Sequence, residues 1–465
     1  MLGPARTSPH ALSLTFHGAA QSVTGSMHLV EAAGARVLLD CGLVLGRHPD
    51  TRQRNRLFPF DPAGLDAVVL SHAHVDHCGN LPNLVGQGFG GPIFCTAATR
   101  RLLGIMLADS ARIQAEEARI DEILGRADEC STGQLYSSGE VERTLAQCVT
   151  LPYGRPHDIR PGLALTLHDA GHLLGSAMVH LASAGASLLF TGDLGRSDLR
   201  FLKAPEALPA ADMVVCESTY GGRRHPPVEK LRETLRKVVR RTIDREGKVL
   251  VPAFSLGRAQ IVVHYLRQWM RDGALPAAPI FVDSALAADI AEAYALHPES
   301  LAVLPDANGS HAPRYVRAAA ESRDLSRRRG PAIIVASGGM CEAGRILNHF
   351  EHGLDDPRNS VVLVSYQAPG SLGRSLLERG PSVRFRGKRW NKWAEVVDLS
   401  GFSAHADHDG LLNALAPLLP NDPRICLVHG DIENATLLAR DLEDLGFWHV
   451  DIPRREQTVS LTARM

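Results

Sequence analysis

No apolar run in this chain reaches the ~20 residues that a membrane-crossing helix needs, and no charged-then-apolar leader opens it. Both absences lead us to expect a cytoplasmic protein with no membrane partner. The eight cysteines are scattered, with no C-x-x-C pair. Several, such as Cys216 and Cys426, sit in strand-like apolar runs, so they read as reduced packing residues rather than a disulfide framework. Charge of one sign is also missing. The chain has 50 Lys and Arg against 51 Asp and Glu, a formal net charge of -1. That excludes a globally basic binder of polyanions, and any such attraction must be local. There is no short-period repeat and no extended low-complexity tract. The 465 residues exceed what one core holds, so two domains are expected.

Histidine is concentrated in one place. His72-Ala73-His74-Val75-Asp76-His77 follows the apolar run Leu65-Asp66-Ala67-Val68-Val69-Leu70. A buried strand ends there, and four metal-ligand side chains follow within six residues. Three imidazoles and a carboxylate this close repel when protonated and are costly to desolvate without a partner. A divalent metal removes both difficulties, and neutral imidazole with carboxylate is a donor set that zinc accepts. His72 and His74 can reach one metal, while Asp76 and His77, at the bend into a helix, can reach a second.

Three further strand ends carry the same chemistry. Ala35-Arg36-Val37-Leu38-Leu39-Asp40 ends in Asp40, Asp169-Ala170-Gly171-His172 presents His172, and Leu188-Leu189-Phe190-Thr191-Gly192-Asp193 ends in Asp193. Each is a short apolar strand delivering a ligand where loops meet. In this order around H-x-H-x-D-H, the chain resembles the metallo-β-lactamase superfamily. The resemblance implies that His72, His74 and His172 hold one zinc. Asp76, His77 and one further histidine hold another, Asp193 bridges the two, and Asp40 orients the site from behind. Two Zn²⁺ per chain follow, about 3.5 to 4 Å apart, as suits in-line attack on phosphorus.

In small hydrolases of this superfamily the missing histidine comes soon after the bridging aspartate. Here about two hundred residues of alternating strand and helix character intervene before His405 and His429 appear. That layout resembles the β-CASP branch, which acts on nucleic acids. Its three additional motifs match Glu217 (in Cys216-Glu217-Ser218-Thr219), His405 (in Phe402-Ser403-Ala404-His405) and His429 (in Leu427-Val428-His429-Gly430). A histidine at the last position resembles members that act on RNA, whereas DNA-acting members tend to carry valine. The implied fold class is α/β, a metallo-β-lactamase αββα sandwich with an inserted α/β β-CASP domain. Its expected boundaries are 1–221 and 391–465 for the core and 222–390 for the insert, with RNA in the cleft between domains.

The insert has strand-to-helix turns rich in small residues, around Ser255 and Arg258, Ser337 and Gly338, and Ser371 and Arg374. These residues are the candidate substrate contacts, since exposed backbone N–H groups and arginines suit phosphate; the alternative is that the glycines only make tight turns. Arg384-Phe385-Arg386-Gly387-Lys388-Arg389-Trp390-Asn391-Lys392-Trp393 combines five cations with aromatics able to stack on bases; the alternative is a hairpin with a solvated cationic face.

The expected activity is zinc-dependent hydrolysis of RNA phosphodiesters, by endonuclease or 5′-exonuclease action, leaving a 5′-phosphate. By the same resemblance His429 is the second zinc's remaining ligand, and Asp40, Asp76, Glu217 and His405 would carry catalysis, with His405 protonating the leaving 3′-oxygen while Glu217 orients it. No KH or S1 module is visible. The expectation is therefore a stand-alone enzyme resembling the compact prokaryotic homologues of the endonuclease subunit of the cleavage and polyadenylation specificity factor, rather than RNase J. A homodimer is compatible with the same resemblance. Three rivals are a DNA nuclease of the branch, a small-molecule hydrolase, and an inactive scaffold. His429, the large insert and the filled ligand positions count against them in turn.

Overall fold

The computed structural model describes residues 12–46, 50–123, 133–303 and 311–461. The chain forms two compact units. One comprises Met1–Ser197, Ala204–Arg224 and His405–Met465, and the other Asp198–Lys203 and His225–Ala404.

The first unit holds two seven-stranded sheets. One runs in the order Thr458–Leu461, Leu12–Gly18, Met27–Ala32, Ala35–Leu39, Ala67–Val69, Ile93–Cys95, Cys148–Thr150. The other runs Val450–Asp451, Arg424–Val428, Met213–Glu217, Ala186–Phe190, Ala177–Ser183, Leu163–Asp169, His157–Arg160. Side-chain alternation along each strand sets the layers. Val37 and Leu39 enter a core with Phe16, Val69, Leu165, Val179, Leu188, Val215 and Val428, which joins the two sheets face to face. Leu38, between them, turns the other way and packs with Val68, Leu103 and Leu107 of the helix Ala97–Ile123. On the far sheet, Val214 and Cys216 face Leu411, Leu415, Leu438 and Leu442 of the helices His408–Leu415 and Ile432–Asp444. The result is an αββα sandwich. Central strands are buried on both faces, so they read as continuous apolar runs.

The second unit is built on a six-stranded sheet in the order Arg314–Val316, Ile280–Asp283, Ala332–Ser337, Lys248–Ala253, Ser360–Leu363, Glu395–Asp398. Every neighbouring pair is parallel. One face buries Leu250, Ile334, Leu347, Phe350, Val361 and Leu363 together.

Two sequence expectations meet differences here. Residues 391–404 were expected to belong to the core. Instead Glu395–Asp398 extends the parallel sheet, with Val396 opposite Val361, and the first unit resumes at His405. The cationic segment is a hairpin, Ser382–Phe385 with Lys388–Asn391, turning at Arg386 and Gly387, both at positive φ. Of its aromatics Trp393 is exposed, while Phe385 and Trp390 pack on each other. Phe385 is buried, with Trp390 stacked on it at 5.2 Å. Lys392 Nζ donates to the Leu376 carbonyl (2.9 Å), and Arg386 pairs with Glu351 (3.2 Å).

The seven described cysteines are all free thiols. Among the described residues, no helix is long and apolar enough to cross a membrane.

Candidate metal centre

Every proposed site residue stands at or just beyond the carboxyl end of a strand of the first unit or, for His405, after a short helical turn that returns to it. Asp40 follows Ala35–Leu39, the His72 loop follows Ala67–Val69, and His172 follows Leu163–Asp169. Asp193 follows Ala186–Phe190, Glu217 ends Met213–Glu217, and His429 follows Arg424–Val428. The loops approach closely. A Cβ on Gly192 would lie 2.7 Å from Ser71 Cβ, and one on Gly42 would lie 1.7 Å from the Asp76 carbonyl oxygen. Glycine is therefore required at both positions to bring Asp193 beside His72 and Asp40 behind His77. Asp40 and His429 themselves adopt φ of 57° and 51°, a conformation that L-residues hold only when the surroundings impose it.

The side chains converge in two groups: His72, His74, His172 and Asp193, and Asp76, His77 and His429. In the first, His72 Nε2 is 3.1 Å and His172 Nε2 is 3.4 Å from His74 Nδ1. Both Nε2 atoms lie 3.5 Å from Asp193 Oδ2. In the second, His77 Nε2 is 2.9 Å from His429 Nε2, which lies 3.5 Å from Asp76 Oδ2. Asp193 spans the groups, since its Oδ1 is 3.3 Å from His77 Nε2.

Ring nitrogens converging at hydrogen-bond distance suit a shared electrophile better than one another. Burial pushes His72 and His172 well below the usual imidazole range, with neighbouring histidines adding to it. Burial also takes His74 down to about 4. Their lone pairs are thus free, as metal ligation requires. Burial opposes charge on His77 too, but Asp193 and Asp40 outweigh it and raise its pKa. Burial opposes the Asp193 carboxylate, yet His429, His77 and His405 hold its pKa well below the usual range. Asp193 Oδ1 is nevertheless buried without a hydrogen-bond donor, a costly state that a cation would relieve. The donor set fits divalent metal: five imidazoles and two carboxylates, with no thiolate.

Behind the ligands, Asp40 is fully buried and accepts from Ser71 N (2.8 Å), Ser71 Oγ (2.9 Å) and Ser26 Oγ (3.1 Å). Its Oδ2 also lies 2.7 Å from His77 Nδ1. Thr219 Oγ1 sits 3.0 Å from His429 Nδ1 and donates to the His429 carbonyl (2.9 Å). Sequence reasoning missed Ser26, Ser71 and Thr219. Ser71 and Thr219 adjoin named motif residues and were within reach, whereas Ser26 carries no local signal.

His405 stands apart from both groups. Both Glu217 oxygens are 3.1 Å from its Nδ1, and its Nε2 faces Asp193 Oδ2 at 3.8 Å. Glu217 is itself fixed, accepting from Leu194 N (2.7 Å) at the buried end of its strand. Although Glu217 also lies within reach of Asp193 and His429, its oxygens are committed to His405 and Leu194, so it reads as an orienting carboxylate. Burial lowers the His405 pKa, but Glu217, Asp193 and Asp76 outweigh it and raise it to about 9.

The six candidate substrate residues lie in the second unit, on loops beyond the carboxyl ends of its parallel strands and at the helix starts that follow them. Ser255 Oγ is 3.0 Å from Ser284 Oγ, and Arg258 donates to the Val364 carbonyl. Ser337 Oγ accepts from Arg345 N (3.3 Å), and Gly338 adopts a φ of 117°. Ser371 Oγ accepts from Arg374 N (3.1 Å) and donates to the Ala368 carbonyl (2.7 Å). The Arg374 side chain is exposed. Five of the six thus shape the loops, and Arg374 alone presents its side chain to solvent.

Known proteins agree with this architecture. The Beta-lactamase superfamily domain matches residues 35–242, the Beta-Casp domain 259–376, and the Zn-dependent metallo-hydrolase RNA specificity domain 393–453. A protein named as a ribonuclease in Thermus thermophilus is 37% identical, over 91% of this chain and 94% of that one. Transcription termination factor FttA of Methanothermobacter thermautotrophicus is 34% identical over 90% of this chain and 67% of its own. A crystal structure of a protein of unknown function from Enterococcus faecalis shares the fold, with a TM-score of 0.55 at 14% identity over 97% of this chain and 100% of that one. The chain belongs to the β-CASP branch of the metallo-β-lactamase superfamily.

Proposed function

We propose that the protein is a zinc-dependent ribonuclease that hydrolyses RNA phosphodiester bonds, as an endonuclease, a 5′-exonuclease or both, in RNA processing or decay. The observation that carries this reading is the His405–Glu217 pair set against Asp193, beside a ligand group whose imidazoles burial keeps neutral, His72, His74 and His172, and a second made of Asp76, His77 and His429. The names of the relatives and the RNA specificity domain support RNA as the substrate. His72, His74 and His172 would hold one zinc, Asp76, His77 and His429 the other, with Asp193 shared between them. Zinc held there would supply a nucleophile at neutral pH by acidifying water, and would offset charge on the phosphoryl oxygens.

The chain's own residues do the rest. Asp40 accepts from His77 Nδ1 and so keeps Nε2 turned toward the ligand cluster. Glu217 holds Nδ1 of His405, leaving Nε2 to face the reacting centre. An imidazolium there donates its Nε2 proton to the departing 3′-oxygen, and a raised pKa keeps that proton available at neutral pH. The product then carries a 3′-hydroxyl on one side and a 5′-phosphate on the other. Arg374 would meet the RNA backbone, with Ser255, Arg258, Ser337, Gly338 and Ser371 shaping the loops around it. A cytoplasmic location and a homodimer accompany this reading, the latter tested by sedimentation.

Matched unstructured RNA and DNA oligomers, incubated with the zinc-loaded protein, test the proposal. RNA should be cut, and its products should be substrates for a ligase that requires 5′-phosphate. Cleavage of DNA with RNA intact would overturn the substrate class.

A further inference from the structure

Three large apolar side chains are partly exposed at the carboxyl edge of the second unit's parallel sheet. Phe254 follows the strand Lys248–Ala253, Met340 follows Ala332–Ser337, and Tyr366 follows Ser360–Leu363. They are 43%, 39% and 37% exposed. Their strands are neighbours, since Lys248–Ala253 pairs in parallel with both of the others.

The three loops are tied into one body. Gln367 Nε2 donates to the Gly339 carbonyl (2.9 Å) and to the Ser365 carbonyl (2.8 Å). Gly373 N donates to the Met340 carbonyl (3.3 Å), and Arg258 donates to the Val364 carbonyl. The Phe254 ring lies so close over Gly339 that a Cβ there would sit 3.0 Å from ring carbons. The ring is thus supported by backbone on one side and open on the other.

Apolar surface exposed on three neighbouring loops is costly unless something covers it. Arg374, exposed on the turn after Ser371, supplies a cation on the same loop cluster. Apolar faces beside an exposed guanidinium match an unpaired polynucleotide, whose bases offer π-faces and whose backbone offers phosphates. A duplex does not offer its base faces. Carboxyl ends of parallel strands are also where open α/β sheets bind ligands.

We propose that Phe254, Met340 and Tyr366 form a base-stacking platform for single-stranded RNA, with Phe254 as its principal face. The inference rests on the ribonuclease reading and adds a sequence-tolerant subsite that selects unpaired bases. The test is fluorescence anisotropy with zinc-loaded protein in the His405→Ala background, where turnover is slowed. The probes are a labelled single-stranded oligoribonucleotide and the same backbone with abasic residues. Phe254→Ala should weaken binding of the base-bearing strand about tenfold and leave the abasic strand unaffected. Phe254→Trp should restore binding, while melting temperatures stay the same. If Phe254→Ala and Tyr366→Ala bind the base-bearing strand as the parent does, the platform is overturned while the ribonuclease reading stands. If the parent binds neither probe and the wild-type protein cuts no RNA, both fall.

Discussion

Asp40 Oδ2 lies 2.7 Å from Nδ1 of His77, and both side chains are sealed from solvent. The carboxylate fixes which nitrogen of His77 carries the proton, and so which one is free to bind a metal. Asp40→Asn keeps the shape but places an amide where a proton acceptor is needed. Zinc affinity should fall about 10- to 100-fold with the fold retained, as chelator competition and melting would measure. Unchanged affinity would remove Asp40 from the site.

Asp193 touches His72, His77 and His172 within 3.5 Å. Asp193→Ala should therefore remove metal and RNA cleavage together, read by elemental analysis and a cleavage assay on one sample. A fully metallated and active variant would defeat the shared-ligand assignment.

Both Glu217 oxygens lie 3.1 Å from His405 Nδ1, and the proposed role of Glu217 is to orient that histidine rather than to bind metal. Glu217→Gln should keep full zinc content while cleavage falls about 10²-fold or more, within the range general acid catalysis supplies. The basic limb of the pH–rate profile should shift downward, because the carboxylate that supports the imidazolium is gone. Loss of zinc instead would make Glu217 a ligand.

The metal-free protein should have a stability maximum near pH 6.5, the unperturbed imidazole value. His405 has a folded pKa raised to about 9. Its stabilising contribution is complete below about 6.5 and fades as pH rises through about 9. His74 is depressed to about 4, so the unfolded chain gains protons first as pH falls from about 6.5, and stability drops on that side. Urea unfolding of metal-free wild type and His405→Ala across pH 5 to 9 would show the two diverging below the upper limb and converging near 9. A constant difference would contradict the shift.

Much of this was legible in the sequence because strands buried on both faces are continuous apolar runs, and each ends on a ligand. Val37-Leu38-Leu39-Asp40 and Leu188-Leu189-Phe190-Thr191-Gly192-Asp193 show the pattern, and the superfamily resemblance ordered them. What stayed hidden depends on tertiary contact. Ser26 reaches Asp40 from a loop with no motif. Glu395–Asp398 joins the parallel sheet through Val361, and local patterning does not reveal that partner. Phe385, Trp390 and Trp393 read as open aromatics, yet Phe385 is buried beneath a stacked Trp390 and Trp393 alone of the three is exposed. Five of the six loop residues expected to meet phosphate are engaged in holding their loops, a distinction that composition does not carry.

Spacing alone offered both His405 and His429 as the missing ligand and the family resemblance assigned them; the geometry is consistent with that assignment, since His429 Nε2 is 2.9 Å from His77 Nε2, while His405 Nδ1 is held by Glu217. The most direct test of the account is to count zinc and time RNA cleavage on the same samples of wild type, His405→Ala and His429→Ala. The account predicts that His405→Ala keeps the wild-type zinc content and loses cleavage, while His429→Ala loses zinc. Zinc lost from His405→Ala and retained by His429→Ala would contradict it.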